Sequence, residues 1–123
     1  AAAADAVSNA VEAVSGKRTE TGSTGSLYIN DRKVCGIVSD TYSGMDGSQP
    51  ECVVVSIGIN AYKPSVGFPS SIENIAGSVF DEPSAGLKNR LAAEVLNRFM
   101  AAYKKMFAAG DKYFFFRLQQ EKS

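Results

Sequence analysis

Apolar positions run along this chain with two different periods. Over residues 1–15 alanine is abundant and Val7, Val11 and Val14 recur three or four positions apart, which predicts a helix stopped by Gly16. Its apolar stripe is narrow, so the helix is expected to lie against a sheet. Residues 17–26 break the pattern, and the Gly/Ser/Thr run at their end predicts a flexible or gap-like linker. Short strands are expected at 27–30 and 33–40, separated by the turn signal Asn30-Asp31. A polar loop follows, and then a valine- and isoleucine-rich strand at 52–59. The last two strands should pair as an antiparallel hairpin.

Alternation within the 52–59 strand divides it into two faces. Val53, Val55, Ile57 and Ile59 make a core face, whereas Val54, Ser56, Gly58 and Asn60 make a face that shrinks to small residues and ends in an amide. A strand face that loses its side chains leaves room for a ligand, a bulge or a closely packed helix. Residues 61–71 are irregular, and 72–76 read as a short helical turn. Ser84 is placed as the N-cap of a long helix with the stripe Leu87, Leu91, Val95, Phe99, Tyr103 and Met106, ended by Gly110. A final helix capped by Asp111 is expected to bury aromatics from Tyr113 to Phe116. The order helix, three strands, two helices predicts one α+β domain over 1–123, with helices packed on a mainly antiparallel or mixed sheet.

Charge and composition narrow the chemistry. Thirteen basic residues balance thirteen acidic ones, which argues against a nucleic-acid partner held by bulk positive charge. The absence of histidine removes Ser-His-Asp triads, Cys-His pairs and His-ligated zinc from this chain. Cys35 and Cys52 sit in strand-like runs and read as small buried hydrophobes. No apolar run approaches the ~18 residues of a membrane span. The alanine-rich start lacks the features of a signal peptide, so the expected location is the cytoplasm.

One stretch carries more specific information. It runs Leu27-Tyr28-Ile29-Asn30-Asp31-Arg32-Lys33-Val34-Cys35-Gly36-Ile37 and continues, after a loop, as Val55-Ser56-Ile57-Gly58-Ile59-Asn60. This resembles the catalytic domain of the biotin–protein ligase family, in which a short strand and turn lead into a Lys-aliphatic-Ala-Gly-Ile strand and a hairpin partner ends in Gly-Ile-Asn. Cys35 stands where alanine is usual. The flanking helices are similar as well, so the resemblance covers nearly the whole chain.

The resemblance implies a two-step reaction with ATP and Mg2+ as co-substrates and biotin as substrate. Biotin is first activated as biotinyl-adenylate and then passed to a lysine of a biotin carboxyl carrier domain of a biotin-dependent carboxylase. Lys33 matches the family's catalytic lysine, whose ammonium eases the approach of two anions; as a residue alone it also suits a solvated position after a turn. Gly36 matches the glycine that lets backbone approach the ligand, and it suits a bulge equally. Asn60 matches the asparagine on the adenine side of the nucleotide, and it is also a common strand-end residue. Ser56 and Gly58 would floor the space between them. Cys35 and Ile37 share the alternation of Lys33, which places one or both on the same pocket.

The chain departs from the family at three places. Nothing within residues 1–123 matches the family's Gly-Arg-Gly-Arg type loop or its small C-terminal β-domain. Gly22-Ser23-Thr24-Gly25-Ser26 stands where the family has Lys-Trp-Pro-Asn-Asp. The expectation is therefore a partial catalytic domain. Alternatives are a non-catalytic module that binds a carrier domain or its own copy through a sheet edge, as a homodimer, and a ligase or transferase of the related lipoate class.

Overall fold

In the computed structural model the described residues are 2–43, 50–106 and 113–119. Helix α1 (Ala2–Ser15) turns Ala4, Ala6, Val7, Ala10 and Val11 inward. Gly16 ends it at φ 76°, its N–H donating to the Glu12 carbonyl at 2.8 Å. Within the stretch expected as a linker, residues from Glu20 onward form the first arm and turn of a hairpin. Strand β1 (Glu20–Thr21) pairs antiparallel with β2 (Leu27–Ile29). Between them the Gly22 N–H donates to the Ser26 carbonyl at 2.8 Å and the Gly25 N–H to the Gly22 carbonyl at 3.1 Å. Small polar residues look like a linker by composition, yet they also suit a tight turn, and the free edge of β2 supplies the pairing.

Asn30 and Asp31 join β2 to β3 (Arg32–Ser43), both with positive φ, at 51° and 64°. That is the conformation of the two-residue turn whose twist matches antiparallel strands, and Asn and Asp tolerate it best after glycine. Strand β3 then pairs along its length with β4 (Pro50–Ile59), giving the expected hairpin.

Two expectations for the C-terminal third are corrected. Helix α2 (Leu87–Met106) starts three residues after Ser84, because Gly86 lies at φ 81°, outside the helical region. Ser84 contributes only its carbonyl, which accepts from the Leu87 N–H at 3.3 Å. The expected final helix is instead a strand, β5 (Tyr113–Gln119), parallel to β4. The outer edge of β4 carries unpaired backbone groups, and an aromatic run of high strand propensity satisfies them better than a second helix could. The expected stop at Gly110, and the side chains of the aromatic run, lie outside the described residues.

The result is an α+β fold with a sheet in the order β1-β2-β3-β4-β5, antiparallel except for β5. Both helices join one core with the sheet. Val7, Ala10 and Val11 from α1 and Leu91, Val95 and Phe99 from α2 meet Cys35, Val55, Ile57 and Ile59. Each large side chain buried there contributes roughly 1.5–3 kcal/mol. The alternation expected for β4 holds where its side chains are described, with Val55, Ile57 and Ile59 buried and Val54, Ser56 and Gly58 half-buried on the opposite face. No described helix is long and apolar enough to cross a membrane.

Candidate functional site

The sheet face turned away from the helices carries a cleft of about 510 Å³. Its floor is the β3–β4 pair, where Gly36 lies opposite Gly58 and Val38 opposite Ser56. Two facing glycines strip the sheet to its backbone at that point. Asn60 closes one end, its N–H held by the Val34 carbonyl at 2.8 Å and its own carbonyl accepting from the Val79 N–H at 2.8 Å. The backbone is thus fixed on both sides, and the residue lines the cleft.

Lys33 reaches the same cleft through an irregularity that alternation alone does not foresee. Leu27 is paired with Cys35 but Tyr28 with Lys33, so Val34 has no opposite number in β2. That extra residue is a β-bulge, and a bulge resets which side each side chain takes. Lys33 therefore lies on the side of Gly36. A Cβ placed on Gly36 would stand 3.4 Å from Lys33 Cε and 3.5 Å from Nζ. The glycine gives the lysine stem a bed. The Lys33 side chain is exposed and has no ion pair among the described residues.

Of the two residues expected to place one or both side chains on the pocket, Cys35 borders the cleft and Ile37 does not. Cys35 is 2 % exposed, and its side chain belongs to the core facing the helices, although the residue borders the cleft. Burial pushes its thiol up to about 12, and the nearby Lys33 ammonium offsets a little of that rise. A thiol so protonated is a hydrophobe and not a nucleophile. Ile37 is half-buried, packs against the core and does not line the cleft. The side chain of Cys52 lies outside the described residues.

The remaining wall comes from residues that the sequence leaves as an irregular stretch. Between Asn60 and Phe80 the chain leaves the sheet and returns as a strap, and its turn at 72–76 places Ile72, Ile75 and Ala76 over the floor. The Ile72-x-x-Ile75 spacing is the signal that could have found this wall. Val38 was likewise missed as a floor residue, since its membership follows only once Gly36 is known to face the cleft. The strap is tied to β3 by the Lys33 main chain, whose N–H donates to the Ile75 carbonyl at 2.7 Å and whose carbonyl accepts from the Gly77 N–H at 2.9 Å. Its far end is held by Lys17, which donates to the Val79 carbonyl at 2.7 Å and pairs with Asp81 at 3.3 Å.

Behind the strap lies a second hollow of about 620 Å³, bordered by Lys17, Arg32 and Lys63 but also by Glu73 and Asp81. Its charges oppose one another, and Lys17 and Arg32 are already engaged with strap carbonyls.

Among the described residues the cleft is electrostatically one cation on an otherwise neutral surface, with no carboxylate in its lining. Among the described residues no group of three metal-binding side chains stands together. Such a cleft can hold an anion at Lys33, a donor-acceptor edge at Asn60 and a flat or apolar body between the glycine floor and the isoleucine wall. In comparisons with known proteins, neither a family model nor a curated relative matches the chain.

Proposed function

We propose that the cleft binds biotin and ATP and that the chain is the catalytic part of an ATP-dependent biotin–protein ligase. The observation that carries this proposal is the convergence of the Lys33 ammonium and the Asn60 residue on one hollow floored by Gly36, Ser56 and Gly58. In the first step the biotin carboxylate attacks the α-phosphate of ATP and pyrophosphate leaves. The Lys33 ammonium lowers the repulsion between the two anions and stabilises charge building on the phosphoryl oxygens. The Asn60 amide offers both a donor and an acceptor to the edge of a purine. In the second step a lysine amine of a biotin carboxyl carrier domain attacks the mixed anhydride, forming an amide and releasing AMP. The open side of the cleft leaves the anhydride accessible to that amine.

The residues present fit a nucleotide better than a protein-held metal. With no carboxylate in the lining among the described residues, Mg2+ would arrive coordinated by the nucleotide phosphates and water.

A second proposal rests on Ser26. It is 6 % exposed, contacts the Thr24 hydroxyl at 3.2 Å and does not line the cleft. The family resemblance expects a carboxylate at that point of the chain, and a serine hydroxyl supplies no charge. This favours a module that keeps the binding cleft without turnover.

Calorimetric titration of the chain with biotinyl-adenylate tests the binding, and pyrophosphate release from biotin and ATP tests the chemistry. Binding with release supports the ligase, and binding without release supports the non-catalytic module. Displacement of biotin by lipoate at equal concentration would move the substrate to the lipoate class. A folded sample that gives no heat at millimolar biotinyl-adenylate would sink all three.

A further inference from the structure

The wall of the cleft is held by a contact that the chemistry does not use. Arg32 precedes Lys33 and points its guanidinium the other way, under the strap. One of its nitrogens donates to the Glu73 carbonyl at 3.0 Å and to the Ala76 carbonyl at 3.2 Å. These are the carbonyls at the two ends of the turn that carries Ile75. On the next residue the strap backbone lies directly on the arginine stem, since a Cβ added to Gly77 would fall 2.7 Å from Arg32 Cβ. The dipeptide Arg32-Lys33 thus grips residues 73–77 twice, by the guanidinium of one residue and by the main chain of the other.

We infer that Arg32 is a positioning residue: by bracing the 73–76 turn it sets the distance between the Ile72–Ile75 wall and the Lys33 ammonium, and so the width of the cleft. A charged donor shared by two carbonyls holds a turn better than water does, because charge-assisted hydrogen bonds are about twice as strong as neutral ones. Arg32 itself is exposed, so this role is separable from core packing. The effect on ligand affinity rests on the cleft being the binding site proposed above. The effect on the strap does not.

Amide hydrogen exchange on wild type, Arg32→Ala and Arg32→Lys separates the two. The Arg32→Ala change is expected to speed exchange at the Lys33 and Gly77 amides by about tenfold, and to leave the Val7 and Val11 amides of α1 unchanged. Arg32→Lys, which keeps a cation for the same carbonyls, is expected to recover most of that protection. Gly77→Ala attacks the same contact from the strap side and should reproduce the Arg32→Ala pattern. Affinity for biotinyl-adenylate should fall in parallel, by about tenfold in Arg32→Ala. If the Lys33 and Gly77 amides keep wild-type protection in Arg32→Ala, the positioning role is overturned whatever the ligand does. If they lose protection while wild type binds no biotinyl-adenylate, the brace stands and the ligand assignment falls.

Discussion

Lys33 stands on an exposed stem, and nothing in the core leans on its charge. Lys33→Ala is therefore expected to weaken biotinyl-adenylate binding by about 10- to 100-fold, the worth of a charged hydrogen bond, with the unfolding midpoint in urea unchanged. Gly36→Ala is the companion test. Its new methyl would make only ordinary contact with the end of the Lys33 side chain, so stability should shift by less than about 1 kcal/mol and any loss of biotinyl-adenylate binding would report the bare backbone that the methyl covers. Cys35 gives a different signature. Its folded pKa lies above that of an exposed thiol, so the unfolded chain releases this proton first as pH rises. Stability from this group is complete below about 9 and falls between 9 and about 12, by roughly 1 kcal/mol per pH unit. Urea titrations should show that alkaline slope in wild type and a shallower one in Cys35→Ala. Among single residues, Gly36, Ser56, Gly58 and Asn60 stood out as small residues and a strand-end amide in an apolar run, whereas Lys33 was singled out by the family resemblance; all five border the cleft. Of Cys35 and Ile37, Cys35 borders the cleft and Ile37 turns to the core, because one unpaired residue, Val34, reverses the alternation, and a bulge leaves no mark in the hydrophobic pattern.

At the level of elements, the β2–β3 turn sets where Lys33 begins. Both of its residues hold positive φ without being glycine. Asp31→Gly should relieve that cost and raise stability by about 0.5 kcal/mol, read as a higher urea midpoint at constant slope. Helices α1 and α2 and the strands β2, β3 and β4 were readable from periodicity because each buries one regular stripe or face. The last strand was not. Its run of aromatics has neither a clear helical nor a clear alternating period, and its pairing with β4 depends on an edge that only the assembled sheet presents. The hairpin at 20–28 was hidden for a similar reason, because two-residue β1 acquires its structure from β2 and not from its own side chains.

Across the whole molecule, the helices and most of the core lie on one face of the sheet and the cleft with its 72–76 wall on the other, while the ends of the strap at Ala61, Val79 and Phe80 join the core. A ligand in the cleft should accordingly slow amide exchange at 33–38, 56–60 and 72–77 and leave α1 as it was. Protection spread evenly over both faces would instead indicate general stiffening and weaken the assignment of the cleft. The two-layer architecture followed from the order of elements and their stripes. The cleft did not, since its wall is a strap with little pattern of its own, pinned by Lys17 and by the neighbours Arg32 and Lys33 from two distant points of the chain.

The alternation of β4 has an evolutionary consequence. Val55, Ile57 and Ile59 answer to the helices, while Val54, Ser56 and Gly58 answer to whatever enters from solvent. Mutations at even-numbered positions can therefore drift with changing ligands while folding is guarded by the odd-numbered ones. A randomised library confined to Val38 and Ser56, which face each other on the cleft floor, should yield mostly folded members with altered preferences, so that this pair of strands serves as a small, separable dial for selectivity.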